Sequence, residues 1–218
     1  MRARSVLSGA AAAAAFASAT AAAAPCKTTA LSVYTASGFS CTVNDETFSA
    51  FTYSASSSLP QASAVTVTPE PSATEPGLKF AANWSASANT GFGIDFAVTP
   101  GPGNLITDAS LATVVPGGVG LVSDFESIKN SHGTGIVNIA AINTGGTATT
   151  STTFAGQTSI SQTEGVSILS DGLPETLSSI TKRFSETAAV PEPSSLALLG
   201  VGLSALALTR RRKRRPRS

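Results

Sequence analysis

Hydrophobic side chains alternate with polar or small ones along residues 78–98, and this two-residue period restricts that part of the chain to β-strands. Two alternating runs flank Asn89-Thr90-Gly91, which has turn chemistry. The alternating positions are Leu78, Phe80, Ala82, Trp84 and Ala86, followed by Phe92, Ile94, Phe96 and Val98. The pattern predicts a β-hairpin with one apolar face. We expect Trp84 to anchor the core; the alternative is an exposed platform on which a sugar ring stacks.

Further short segments with strand character follow the same rule and are separated by glycine, proline and asparagine turns. They are "ETFSAFTYS", "SAVTVT", "LATVV", "GIVNIAAI" and "GVSIL". In the first of these the apolar face changes between Phe48 and Phe51, which predicts a β-bulge. "LSSITKRF" fits both helical and strand spacing, and we favour a strand, while "TGGTATTSTTFAG" fits a strand or a flexible loop. The sequence therefore predicts an all-β body, an antiparallel β-sandwich.

Charge divides the chain into three unlike pieces. The body from Cys26 to Thr187 has five basic and twelve acidic side chains, whereas both ends are basic. An acidic body repels phosphate backbones, so we expect no nucleic-acid partner.

The first 24 residues have the three parts of a secretory signal peptide. Arg2 and Arg4 precede the apolar stretch "SVLSGAAAAAAFASAT", and small residues at 19–23 offer a cleavage site. We expect a signal helix here; the alternative is a buried alanine-rich helix of the mature domain. A lipid anchor on Cys26 is disfavoured because Pro25 precedes it where a small residue is expected.

Two cysteines, Cys26 and Cys41, lie near the expected mature N-terminus. In an oxidising compartment they are expected to form a disulfide, which closes a loop of about 15 residues and contributes roughly 3 kcal/mol. A free thiol pair and a metal site are the alternatives. With one histidine and no further cysteine in the chain, a metal site lacks ligands.

The C-terminal region from residue 194 to 209 has no charged side chain, and as a helix it spans about 24 Å. This length is marginal for a bilayer core of about 30 Å. Basic residues follow at once: Arg210, Arg211, Arg212, Lys213, Arg214, Arg215 and Arg217. They favour a single C-terminal transmembrane helix whose end stays cytoplasmic, with a soluble buried helix as the alternative.

Pro191, Glu192 and Pro193 precede this apolar segment, and the three-part arrangement closely resembles the PEP-CTERM sorting signal of exported bacterial proteins. The resemblance implies recognition by an exosortase-like membrane enzyme that removes the tail. Residues 69–71 repeat the tripeptide without an apolar segment or arginines, so we expect a rigid loop there. Some proteins with this tail also have an early cysteine pair and segments like "FTYS" and "ANWSA", which implies a β-rich surface protein without mapped catalytic residues.

Candidate catalytic groups are few. His132, the single histidine, lies in "NSHGTG" and is expected on a surface loop. The acidic pairs Asp45-Glu46 and Asp124-x-Glu126 are residue types that bind calcium or serve a glycosidase, but such pairs are usually solvated charges. We therefore predict no catalytic residue, metal or cofactor, and a protein that is not an enzyme.

These features predict a signal peptide at residues 1–24, a β-sandwich body at 25–187 and a sorting signal at 188–218. The expected protein crosses the inner membrane, passes through a transient single-pass form and acts at the cell surface or outside the cell, in a structural or adhesive role. The main alternative is a module that binds exopolysaccharide through an exposed Trp84 or Tyr53. A hydrolase that uses a carboxylate pair is a further alternative.

Overall fold

The computed structural model describes residues 23–117 and 120–189, and these residues form two β-sheets packed face to face. The strands are β1 (Ala24–Pro25), β2 (Thr29–Ala30), β3 (Ser40–Val43), β4 (Glu46–Ala55), β5 (Thr66–Glu70), β6 (Gly77–Ala86), β7 (Thr90–Thr99), β8 (Asn104–Val115), β9 (Leu121–Asn130), β10 (Gly135–Asn143), β11 (Gly146–Gln157), β12 (Ile160–Leu169) and β13 (Glu175–Ala188). One helical turn, α1 (Leu31–Tyr34), and a 3₁₀ turn at Ala62–Ala64 complete the described part.

The first sheet, sheet A, has the strand order β1-β3-β4-β7-β12-β9-β10, and sheet B has the order β11-β8-β13-β6-β5-β2. Every described ladder is antiparallel except that between β1 and β3. The predicted all-β sandwich is confirmed. The predicted signal helix and transmembrane helix lie outside the described residues, and within the described ones no helix has the length and apolarity needed to span a bilayer.

The predicted hairpin is wrong in its pairing, although both of its strands are present. Strand β6 belongs to sheet B and β7 to sheet A, so the chain crosses between the sheets at Ser87–Asn89. Both apolar faces point into the same core from opposite sides: the Trp84 ring stacks on Phe92 at 4.7 Å with 9° between the planes. Alternation specifies which side chains face inward, but it does not specify which strand supplies the backbone partners.

Phe96 of β7 lies at the centre of the aromatic core. Its ring centroid is 5.4–6.1 Å from the rings of four other phenylalanines, Phe48, Phe51, Phe80 and Phe184. Because these residues come from both sheets, burial of their rings holds the two layers together.

Local irregularities explain how single strands change face. The bulge predicted in β4 is confirmed by a register shift between Ser49 and Thr52, where Ala50 has φ of 55°. The favoured strand at "LSSITKRF" is also confirmed, within β13. A shift between Leu177 and Ser179 lets both Leu177 and Ile180 face the core. The low-complexity segment "TGGTATTSTTFAG" contributes most of β11.

The rigid loop expected at residues 69–71 is wrong, because Pro69 and Glu70 form the end of β5. Strand β2 pairs with β5 only at Thr66 and Val67, so among the described residues the rest of β5 is paired with β6 alone and forms an edge. Proline is tolerated at such an edge because it has no backbone N–H to pair. Glu70 accepts a hydrogen bond from the Arg183 guanidinium at 3.0 Å, which ties this edge to β13.

The predicted disulfide between Cys26 and Cys41 is present, with the two Cα atoms 4.8 Å apart. Beside it, the Cys26 N–H donates to the Thr42 carbonyl at 2.8 Å. The bond therefore fixes the start of the described chain to β3, at one edge of sheet A.

Candidate functional site

A groove of about 750 Å³ crosses the outer face of sheet A. We call it the outer groove, and its lining includes Ser54, Ser56, Gly91, Gly93, Phe125, Gly165 and Ser167. A Cβ atom on Gly93 would lie 2.7 Å from the Glu164 carbonyl oxygen, and one on Gly91 would lie 2.6 Å from that of Val166. The floor is therefore bare backbone, on which no side chain fits without a shift of the strands.

Phe125 is the exposed aromatic side chain of the outer groove, with 55% of its surface accessible, whereas the other aromatic residue of the lining, Phe92, is buried. Phe125 faces Gly165 across the β9–β12 ladder, so a flat apolar ring stands beside a position without a side chain. Neighbouring lining residues contribute hydroxyl groups, and the one charged residue of the lining, Glu164, has its side chain buried in the core. The groove thus combines an exposed ring with uncharged polar groups.

The aromatic residues predicted for sugar contact are elsewhere. Trp84 is fully buried, which confirms its expected role as a core anchor. Its Nε1–H donates to the Tyr53 hydroxyl at 3.2 Å, and that hydroxyl donates to the Pro60 carbonyl at 2.7 Å. Trp84 is buried and Tyr53 is half-buried, so neither ring forms the exposed platform that this alternative requires.

The acidic pair Asp124-x-Glu126 faces the core and is not solvated as expected. Its members join Glu164 and Lys182 in what we call the buried charge cluster. Glu126 and Glu164 are directly opposite on β9 and β12, and Lys182 reaches them from sheet B. The Lys182 Nζ is 2.9 Å from Glu126 Oε2 and 3.2 Å from Glu164 Oε1. Because these side chains are sealed from solvent, no substrate can reach the pair, and the glycosidase arrangement is not formed here.

Burial dominates the electrostatics of the buried charge cluster. It raises the pKa of Asp124, Glu126 and Glu164, and attraction to Lys182 only partly offsets this. The pKa of Glu164 lies well above its ordinary value, because Asp124 also repels its ionised form. Burial alone would lower the pKa of Lys182, but the surrounding carboxyl groups raise it. The amine is therefore an ammonium, facing more carboxyl groups than it can neutralise.

The sequence contains a signal for these buried charges. The expectation that acidic pairs are solvated did not take it into account. Three strands carry charged or amide residues at positions with core parity. These runs are Val122-Asp124-Glu126-Ile128, Ile160-Gln162-Glu164-Val166 and Ile180-Lys182-Phe184. Polar or charged residues at every second position, in a run that begins and ends with apolar residues of the same parity, indicate inward side chains.

The other acidic pair, Asp45-Glu46, lies at the end of the sandwich where β13 finishes. Glu46 is fully buried, and neither of its carboxyl oxygens has a hydrogen-bond partner among the described residues. Asp45 and Glu186 both accept hydrogen bonds from the Asn104 amide, at 3.1 and 2.8 Å. Burial, followed by repulsion from Glu186 and Asp45, raises the pKa of Glu46 to about 9. No group of three or more His, Cys, Asp or Glu within the described residues is placed to hold a metal ion.

Glu46→Gln should stabilise the protein increasingly as pH rises. Between about pH 4.5 and 9 the folded state holds a proton on Glu46 that the unfolded chain releases, so the wild type loses stability over this window. An amide removes that linkage, and the gain should be on the order of 2–3 kcal/mol at pH 7 and near zero at pH 4. Denaturant unfolding at several pH values measures it, with the exposed Asp171→Asn as control. Equal gains at pH 4 and pH 8 would contradict the proposed protonation.

His132 is exposed in a turn, as expected, where its backbone N–H donates to Asn130 Oδ1 at 3.0 Å. The described structure brings none of the cluster or groove residues into this turn.

The C-terminal strand leads directly to the predicted sorting signal. Ala188 is paired with Asn104, and the Ala189 N–H donates to the Gly103 carbonyl at 2.7 Å. Residues 191–193 and the basic segment from Arg210 lie outside the described residues. Residues 189–214 match the family model of the PEP-CTERM protein-sorting motif. The chain carries a PEP-CTERM sorting motif. A PEP-CTERM motif implies an exported protein that is sorted to the cell surface or the extracellular space.

No curated protein matches the chain significantly. Solved structures that align with part of this chain include TmCBM61 in complex with β-1,4-galactotriose, at 13% identity and a TM-score of 0.38, over 63% of this chain and 88% of that one. A second is a set of carbohydrate-binding modules from the β-sandwich superfamily, at 10% identity and a TM-score of 0.28, over 77% and 64%. The arabinose-bound MgGH51 α-L-arabinofuranosidase matches at 16% identity and a TM-score of 0.29, over 62% of this chain but 22% of its own length.

Proposed function

We propose that this protein is an exported component of the cell surface or extracellular matrix, processed by an exosortase-like membrane enzyme, with a structural or adhesive role. The observation that carries the proposal is the position of the PEP-CTERM motif, whose match begins at Ala189, where the hydrogen bonding of β13 ends. In this proposal residues 1–24 direct export, residues 194–209 hold the chain briefly in the inner membrane, and the basic end stays in the cytoplasm.

The spacing between strand and apolar segment supports processing at a restricted position. Five peptide steps separate Ala189 from Ser194, which allows at most about 17 Å even when fully extended. The folded body is then held against the membrane surface, and the enzyme must act on a short connecting segment. Two prolines in this segment favour an extended backbone that an enzyme cleft can accept.

The structure of the body supports a role in contacts. Its acidic cluster is sealed, its aromatic anchors are internal, and a disulfide suited to an oxidising compartment fixes its N-terminal edge. A rigid sandwich that presents surfaces is suited to scaffolding or adhesion.

Glu192→Ala should block removal of the C-terminal tail. Intact-mass analysis of protein from cells and from the medium is expected to find the shortened form in the wild type and the full tail in the variant. The chain provides a matched control in Glu70→Ala, which alters the same tripeptide within β5 and should be processed normally. Full-length mass in both the wild type and Glu192→Ala would remove the processing hypothesis.

We keep carbohydrate binding as a second candidate, now through the outer groove. The observation that favours it is the exposed ring of Phe125 beside a glycine floor with serine hydroxyls on the lining. Aromatic rings with a few polar groups are typical of small-molecule and glycan sites. An uncharged lining fits a neutral rather than an anionic polysaccharide.

Phe125→Ala should weaken binding to a neutral exopolysaccharide from the same bacterium about tenfold. This corresponds to a loss of about 1.4 kcal/mol of binding free energy. Affinity electrophoresis with the purified polysaccharide measures this. Leu173→Ala removes an exposed side chain outside the outer groove and should leave mobility unchanged. Identical retardation of wild type and Phe125→Ala would exclude the groove as the binding surface.

A further inference from the structure

The buried charge cluster holds an amine and several carboxyl groups in contact, within a core that solvent does not reach. The Lys182 side chain is 0% exposed, and those of Glu126 and Glu164 are 1% and 0% exposed. The core residues that flank Lys182 on β13, Ile180 and Phe184, are apolar and buried. Water therefore has little access to the reacting groups, and the effective concentration of amine and acid is high.

The charges of this cluster do not balance if every group is ionised. One ammonium faces the three carboxyl groups of Asp124, Glu126 and Glu164, and five of their six oxygens have no hydrogen-bond donor among the described residues. Glu164 Oε1 lies within ion-pair distance of Lys182 but is not aligned for a hydrogen bond. Two carboxylates cannot bond to each other, whereas a carboxylic acid donates to a carboxylate, so a proton held by Glu164 relieves its repulsion from Asp124.

We propose that Lys182 and Glu164 condense to an amide, so that the folded sandwich contains a covalent cross-link between its two sheets. The site is an intramolecular modification site formed wholly by this chain. It uses no cofactor, oxidant or added reactant.

The arrangement assigns a role to each group in the condensation. The Lys182 ammonium transfers a proton to the Glu126 carboxylate, 2.9 Å away, which frees the amine lone pair. The amine attacks the carboxyl carbon of Glu164, which is held as the neutral acid and is therefore more electrophilic than a carboxylate. The C–N bond forms, the Glu164 C–OH bond breaks, and the hydroxyl departs as water with a proton from the amine, relayed by Asp124. One ammonium, one acid and one carboxylate become one amide, one acid and one water.

Removal of buried charge favours this product. An ammonium and a carboxylate in an apolar interior each lose most of their hydration, and a neutral amide does not carry that penalty. The reverse reaction requires water at a position that the packed core closes, so the amide persists once formed.

The cross-link also has a consequence for the proposed function. This consequence rests on that function, whereas the cross-link itself does not. Lys182 belongs to β13, the strand that leads to the PEP-CTERM motif, and Glu164 belongs to β12 of sheet A. The amide joins the strand nearest the tail covalently to the opposite sheet, whether or not the tail is later removed.

Peptide mapping of the full-length protein tests the proposal without any variant. After reduction of the disulfide, trypsin should cut after Lys129 and Arg183 but not after a modified Lys182. The expected product is a single peptide of residues 130–183, lighter than its sequence by the mass of one water. A normal peptide 130–182 at its full mass would overturn the proposal. A cross-link to peptide 80–129 would instead overturn the assignment of Glu164, because that peptide contains Asp124 and Glu126.

Matched variants test the assigned roles. Lys182→Arg keeps the cation but cannot form this amide, so its peptide should have the full mass; loss of water in this variant would refute the amine assignment. Lys79→Arg, on the outer face of the neighbouring strand β6, should still lose one water.

Glu126→Gln removes the proton acceptor and should lower the cross-linked fraction at least tenfold. Full condensation in this variant would exclude Glu126 as the base. All of these peptides end before Ala189, so their masses do not depend on whether the tail has been removed. A failure of tail processing can therefore be distinguished from a failure of condensation.

Discussion

Trp84→Ala should lower the free energy of unfolding by about 3–5 kcal/mol, the range for removal of a fully buried large aromatic side chain. Trp84 belongs to sheet B, whereas Phe92 and Tyr53, which it contacts, belong to sheet A. The substitution removes the stacked ring and leaves a cavity between the layers. It also takes away the indole donor of the Tyr53 hydroxyl.

Denaturant unfolding of the variant and the wild type at one pH measures the effect. Trp84→Phe should recover part of the loss, since it keeps a ring against Phe92 but not the Nε1–H. Leu173→Ala, at a side chain that is 56% exposed, should shift stability by no more than about 0.5 kcal/mol. If Trp84→Ala shifted the midpoint as little as this control, the indole would not hold the sheets together as described.

Lys182→Met should also lower the free energy of unfolding by about 3–5 kcal/mol, because it leaves buried carboxyl groups with neither the ammonium nor the amide that Lys182 supplies. Without Lys182 the pKa of Glu126 and Glu164 rises further, since its attraction is the influence that lowers them. The folded variant then holds protons that the unfolded chain releases above about pH 4–5. Its stability should therefore fall further as pH rises through neutrality.

Unfolding measured from pH 5 to pH 8 tests this expectation. Lys79→Met removes a lysine from the outer face of β6 and serves as the matched control. Lys182→Arg keeps the charge, and so it separates loss of the cation from loss of an amide bond. A Lys182→Met protein as stable as the wild type at pH 8 would show that the core accommodates these carboxyl groups without a cation.

The sequence predicted the strands well because burial alternates with the same period as the backbone. The pattern of Leu78, Phe80 and Trp84 located β6, and the change of face around Phe51 located the bulge in β4. Pairing was not predictable in the same way. A tight connection such as the one before Thr90 serves either a hairpin or a crossing between sheets, and both bury the same side chains.

Charged residues caused the largest difference between expectation and structure. Asp124 and Glu126 were expected in solvent because isolated acids are rarely buried. Their neutralising partner Lys182 is 56 residues from Glu126 and comes from the other sheet, so adjacency in sequence gave no sign of it. The outer groove was missed for a related reason: Phe125 lies between two acids whose inward direction places it outside. The sorting motif, by contrast, is linear, and its three parts are read directly from residues 191–217.

Strand β13 is flanked by β6 on one side and β8 on the other; the ladder with β8 reaches Ala188, and the ladder with β6 reaches Arg183. A pull applied to the C-terminal end of this strand, along its axis, loads the hydrogen bonds of both ladders in shear. These bonds must then fail together, whereas an edge strand peels away one bond at a time. The topology thus places the end of the body that leads to the sorting motif in a strand paired on both sides, which withstands tension better than an edge strand does.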